Sequence, residues 1–155
     1  MTTRTKNIMS TKLVTIPIGT PLTQAFELMK RENFRHLPVV DIMNGIVGVL
    51  SHRDLNYFKN PDHVPVEYVM SSPVIYISQD TPLRVAVQKM LELKISCLLV
   101  ADDNEDAVGI LTTDDLLAYL SSLLAAEPEE KAGLLNVMNL RTVGEIANQL
   151  SNAGI

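Results

Sequence analysis

Apolar and polar positions along the chain follow two periods, and the switches between them mark its elements. In "TPLTQAFELMKREN" (20–33) the apolar residues Leu22, Ala25, Phe26 and Met29 recur at spacings of three and four, the stripe of a helix with one buried face. Thr20 is placed to cap that helix, and Pro21 to occupy its first position, where a missing N–H costs nothing. "LVTIP" (13–17) and "HLPVVD" (36–41) are short extended runs. The Asn44-Gly45 pair is a hairpin signal that leads into a third strand, "IVGVLS", and a second helix is predicted over 52–58.

The same succession then recurs. At a constant offset of 61 positions, Met9-Ser10 matches Met70-Ser71, Thr20-Pro21-Leu22 matches Thr81-Pro82-Leu83, and Leu37, Val39 and Asp41 match Leu98, Val100 and Asp102. By count about 16 of roughly 48 aligned positions are identical, which marks a tandem duplication. "VIYIS" (74–78), "SCLLVAD" and "AVGILT" are the strands of the second copy, "NED" (104–106) its hairpin turn, and 113–125 its longer closing helix. The predicted order is strand, helix, strand, strand, helix, twice, with "KNPDHVPVE" (59–67) between the copies. This is an α/β (α+β) chain divided as 1–62, 63–126 and a helical extension, 127–155. A unit of about 50 residues with helices on one sheet face leaves its other face bare and is marginal alone. Two such units are therefore expected to pack sheet to sheet, with pseudo-twofold symmetry and two related clefts.

Composition narrows the function classes. The 155 residues carry a net charge of −5, with scattered Lys and Arg and no Trp. Nucleic-acid binding needs a concentrated positive face, so that class is set aside. The apolar fraction of 46% is that of a folded chain, yet no apolar run reaches the roughly 18 residues of a membrane span. "MTTRTKNIMS" lacks the apolar segment of a signal peptide, and the lone Cys97 suits a reducing compartment; both lead to a cytoplasmic expectation. His36, His52 and His63 have no metal-ligand spacing, Cys97 reads as a small buried hydrophobe, and neither a nucleophile elbow nor a phosphate-binding glycine loop is present. An enzyme is not expected.

The end of each copy carries the most distinctive signature. "GVLSHRDL" (48–55) and "GILTTDDL" (109–116) share the form glycine, two aliphatics, a hydroxyl residue, two variable residues, aspartate and leucine. Ser51 with Asp54, and Thr112 with Asp115, also fit a helix capping box. Together with "IMS" and "VMS", the "TPL…A…M" helix and "LPVVD", the ordered set resembles a tandem pair of cystathionine-beta-synthase (CBS) domains, often called a Bateman module, over roughly residues 7–120.

That resemblance implies several things about function. It implies clefts that bind adenosine-containing ligands (AMP, ADP, ATP, S-adenosylmethionine, sometimes cyclic dinucleotides) as regulators, with no obligatory cofactor. It implies assembly as a homodimer, and signalling to an unidentified protein partner by conformational change. Ser51 and Asp54, and Thr112 and Asp115, would hold ribose hydroxyls. Ser10, Val14, Ser71 and Ile75 take the base-pocket positions. Arg35 and His36, with Pro38 in the strand they open and Arg53 as a lesser candidate, take those near phosphate. Phosphates in such modules point to the middle, so Arg35 is able to serve either cleft.

The copies differ where it matters. Ser96-Cys97 replace Arg35-His36, and Asp114 replaces Arg53. The cleft built on Ser51 and Asp54 is therefore expected to favour a phosphorylated nucleotide, and that on Thr112 and Asp115 a less charged adenosine ligand. The competing reading is a dimerising scaffold with unoccupied clefts. Beyond the repeat, Thr142 with Glu145 makes a capping box, and Leu140, Val143, Ile146 and Leu150 form an apolar stripe that must dock to be stable.

Overall fold

The structure, a computed structural model, describes residues 2–54 and 61–125. The first copy forms β1 (Ile16–Pro17), α1 (Leu22–Glu32), β2 (His36–Asp41) and β3 (Gly45–Ser51). The second forms β4 (Tyr76–Ser78), α2 (Leu83–Leu93), β5 (Cys97–Ala101), β6 (Ala107–Thr112) and α3 (Thr113–Ala125). Each copy builds one three-stranded sheet, with orders β1-β2-β3 and β4-β5-β6. In both, the first pair is parallel and the second is an antiparallel hairpin. All six strands with α1 and α2 lie in one compact unit, Met1–Leu116. The helix expected over 52–58 falls largely outside the described residues, as does the whole stretch 126–155 with its expected terminal helix.

Period-2 alternation in the central strands explains the two-sided burial. Leu37 and Val39 of β2 pack with Leu22, Ala25 and Met29 of α1, and with Ile16 and Leu50. Pro38, between them, points to the other face and is also fully buried. In the second sheet Leu98 and Val100 repeat the first pattern, and Leu99 repeats that of Pro38.

Two local expectations need correction. Thr20 does not cap α1: its hydroxyl donates to the Pro17 carbonyl at 2.7 Å, and the helix starts at Leu22 with extended Pro21 before it. Phe26, placed in the buried stripe, is 41% exposed, its ring 5.5 Å from the His52 imidazole. A helical stripe of four residues is wider than the sheet beneath it, and the residue at its edge stays in contact with water.

The copies are bound by exchanging their leading segments. Residues 3–10 lie on the second copy: Thr5 and Lys6 donate backbone N–H groups to Thr81 and Gln79, Leu83 donates to Thr3, and Ser10 and Ile110 exchange both bonds. Thr5, buried and polar, also donates its hydroxyl to the Thr81 carbonyl at 2.9 Å. Residues 64–71 repay this on the first copy, with Leu22 donating to Val64, Val66 to Thr20, and Val49 and Ser71 exchanging two bonds. Gly109 is required by this exchange. A Cβ there would stand 2.7 Å from the Ser10 carbonyl oxygen, a backbone atom without room to withdraw.

Candidate functional site

The exchange of leading segments decides how the clefts are composed. In the first cleft, about 170 Å³, Ser10, Val14, Arg35 and Pro38 come from the first copy, whereas Thr112 and Asp115 come from the second. In its mate, about 240 Å³, Ser71 and Ile75 of the second copy face Ser51, Arg53 and Asp54 of the first. His36 lines both. The structure thus gathers every residue of the candidate set, but it pairs the two copies crosswise. Arg35 lines the cleft of Thr112 and Asp115 rather than that of the Ser51 and Asp54 of its own copy, although it also borders a smaller hollow with Ser51.

The hydroxyl-carboxylate pairs have the geometry of reciprocal caps. The Asp54 Oδ2 accepts the Ser51 N–H at 2.8 Å, and the Ser51 hydroxyl oxygen accepts the Arg53 N–H at 3.2 Å. The Asp115 Oδ2 accepts both the Thr112 N–H (2.7 Å) and the Thr112 hydroxyl (2.6 Å). Each carboxylate is thereby locked in orientation, and each spends only one oxygen on the cap. Oδ1 of each makes no hydrogen bond among the described residues and is left to accept from a guest.

Apolar side chains line the clefts as well. Val14, Pro38 and Ile110 line the first cleft, and Ile75, Leu99 and Val49 occupy the matching places in the second. Sequence reasoning did not single out Ile110, Val49 or Leu99. Their signal was available in the strand alternation, which turns them away from their own helices, but which cavity they reach depends on the other copy.

Electrostatics separates the clefts. Lys12 binds Glu32 at 2.8 Å, and its ammonium lies 5.4 Å from the Phe34 ring centroid. That hydrogen bond, with a further one from Arg31, holds the Glu32 carboxyl below its usual range. Arg35 grips Asp114 with two nitrogens, one bond being Nε to Oδ2 at 2.7 Å. Both cations of the first cleft are therefore neutralised within the protein. Arg35 thus offsets one carboxylate of the Asp114-Asp115 pair across the copies, at the expense of that guanidinium's own charge. In the second cleft Arg53 and Lys94 make no ion pair among the described residues.

His36 is largely buried, and its Nε2 lies 2.7 Å from the Ser96 hydroxyl. Burial, reinforced by the Arg35 charge, pushes its pKa below the ordinary 6.5. The direction of that shift favours the neutral ring in the absence of a ligand. A depressed folded-state pKa means that the unfolded chain takes up the proton first, so stability declines as pH falls from 6.5 toward the folded value. Thermal melts from pH 7.5 to 5 should show this decline, and His36→Gln should make it shallower; parallel profiles for the two proteins would refute the assignment. Burial also raises the Cys97 thiol to about 11, so it stays protonated, as a small hydrophobe would. Among the described residues no cluster of His, Cys, Asp and Glu is arranged to hold a metal, and no helix is long and apolar enough to cross a membrane.

Comparison with known proteins places this geometry. The family model described as CBS domain matches residues 6–58 and again 66–122. The uncharacterized protein MK0525 of Methanopyrus kandleri is 32% identical over 120 residues, covering 72% of this chain and 61% of that protein. A homoserine O-acetyltransferase of Methanosphaera stadtmanae is 32% identical over 120 residues, covering 77% of this chain and 24% of the enzyme. The chain thus matches less than two thirds of the length of either relative. Among solved structures, the CBS domain pair of protein MJ0100 in complex with 5′-methylthioadenosine and S-adenosyl-L-methionine superposes with a TM-score of 0.71 at 27% identity, covering 79% of this chain and 98% of that one. The cytosolic domain of the Mg²⁺ channel MgtE in complex with ATP gives 0.62 at 26% identity, covering 75% and 48%.

Proposed function

The chain belongs to the CBS domain family as a tandem pair, and from that premise we propose that it is a cytoplasmic regulatory module, not an enzyme, whose clefts take adenosine-containing ligands and report their occupancy to a partner protein. The observation that carries this reading is the duplicated acceptor. Each cleft presents a carboxylate with one oxygen locked by a cap and the other making no hydrogen bond among the described residues, in a cavity that apolar side chains also line. A vicinal diol offers two donors to such a carboxylate, while an aromatic base suits the apolar lining.

The ligands of the MJ0100 pair and of the MgtE domain support the adenosine class for this chain. AMP, ADP, ATP and S-adenosylmethionine are its members to be tried. Binding moves the protein only by as much as the ligand prefers one arrangement of the copies over another. Because each cleft takes walls from both copies, a guest touches both and is placed to exert that preference. Pairing of the module into a homodimer belongs to the same proposal.

A thermal melt with each ligand in turn tests the reading. At about 100 times its dissociation constant a ligand adds roughly 2.7 kcal/mol. For a chain of this size the melting temperature should rise by roughly 5–10 °C. A melt unmoved by every adenosine compound would leave the scaffold reading in its place.

A further inference from the structure

Unlike α1 and α2, α3 (Thr113–Ala125) buries no residue, although it is more apolar than either. From Leu116 to Ala125 it carries no charged side chain. Leu117 and Leu124 are each 62% exposed, Leu120 is 49% exposed and Leu123 48%. With about 3.6 residues per turn, these four and the half-buried Leu116 fall within about a third of the helix circumference. A continuous leucine seam of this kind is what one helix offers to another, and left in water it is a liability.

We propose that the leucine seam of α3 is the seat of the chain's own C-terminal segment, residues 140–150. That stretch lies beyond the described residues, but its sequence carries the complementary pattern. Leu140, Val143, Ile146 and Leu150 fall on one side at helical spacing, and Arg141, Glu145, Asn148 and Gln149 fall on the other. Laid on α3, the segment would take the leucines out of water and present polar groups in their place. The connection also fits. Pro128, in "AEPEEKAG" (126–133), disfavours continuation of α3 and so a single long helix. The return path is short. From Leu117 to Leu124 the helix rises only about 10 Å, whereas extended chain reaches about 3.3 Å per residue between Ala125 and Leu140. A segment on so short a tether meets the seam at an effective concentration of roughly millimolar. A second copy reaches it only at its bulk concentration. Docking of this kind is independent of what the clefts bind, and it leaves the pairing of modules to other faces.

Hydrogen exchange on the full chain tests this from both sides. Amides of 143–150 should be protected, and equally so at low and at high protein concentration. Leu120→Asp combined with Leu124→Asp, both at exposed positions, should speed their exchange at least about tenfold and leave the amides of β2 and β5 as they were. Val143→Asp combined with Ile146→Asp should in turn speed exchange over 117–124. Unprotected amides over 143–150 would overturn the proposal, as would protection untouched by the α3 substitutions. An α3 whose exchange is indifferent to the Val143 and Ile146 substitutions would do the same. Protection that grows with protein concentration would also overturn it, by giving the seam to a second copy.

Discussion

Replacing Asp54 with alanine is expected to weaken adenosine-ligand binding in its cleft about 100-fold. A hydrogen bond to a charged group contributes about 1.5–3 kcal/mol, and a diol on the Asp54 carboxylate would make one full bond to Oδ1 and share Oδ2 with the cap. A 100-fold loss corresponds to roughly 2.7 kcal/mol, in the upper part of that range. Asp115→Ala should act in the same way on the other cleft, because its Oδ2 is engaged by Thr112 and its Oδ1 makes no hydrogen bond among the described residues. Alanine also removes a cap, which costs about 1 kcal/mol of stability. Asp54→Asn separates the two roles, since an amide oxygen can still accept the Ser51 N–H while its amide nitrogen cannot accept from a diol. Calorimetry on both variants should find weak binding in each, with a lowered melting temperature only in the alanine protein. Asp54→Asn that binds at full strength would assign the carboxylate to helix capping alone.

Removing residues 2–10 is expected to have the larger effect on the fold, about 3–6 kcal/mol of stability. Five backbone hydrogen bonds tie this segment to the second copy, each with a net contribution of about 1 kcal/mol. The buried Thr5 hydroxyl adds another. Lys6 and Arg4 bind Asp80 at 2.8 and 3.3 Å, but these exposed pairs contribute little. A loss of this size is comparable to the total stability of an ordinary domain. The truncated protein should melt far below the intact one in denaturant, and hydrogen exchange should rise at Leu83 and Ile110, whose N–H groups lose their acceptors. A truncated protein as stable as the intact chain would show that the exchanged segment is not what joins the copies.

Much of the architecture was legible before any coordinates. The 61-residue offset, the stripe of Leu22, Ala25 and Met29, and the turns at Asn44-Gly45 and 104–106 anticipated both sheets, both long helices and α3 over 113–125. These features are local: a period of 3.6 or 2, or a turn residue, acts within a few positions, so a single chain displays it. Thr20 and Phe26 mark the limit. Whether a hydroxyl caps a helix or bonds to Pro17, and whether a ring at the stripe's edge is covered, is settled by what surrounds them.

What the amino-acid order determined by itself is the pair of motifs: a hydroxyl and a carboxylate three residues apart, twice, with the carboxylate closing back on the backbone N–H of the hydroxyl residue in each. What only tertiary structure decided is which residues those motifs face. The order of residues left Arg35 able to serve either cleft; the exchanged segments put it in the cleft of Thr112 and Asp115 and in the grip of Asp114. The reason is physical. A cap is closed by bonds spanning three residues, whereas a cleft wall is assembled by the burial of Pro38, Val49, Leu99 and Ile110, apolar groups whose partners lie in the other copy. Hydrophobic burial carries no direction along the chain, so its outcome depends on packing that no short stretch of sequence contains.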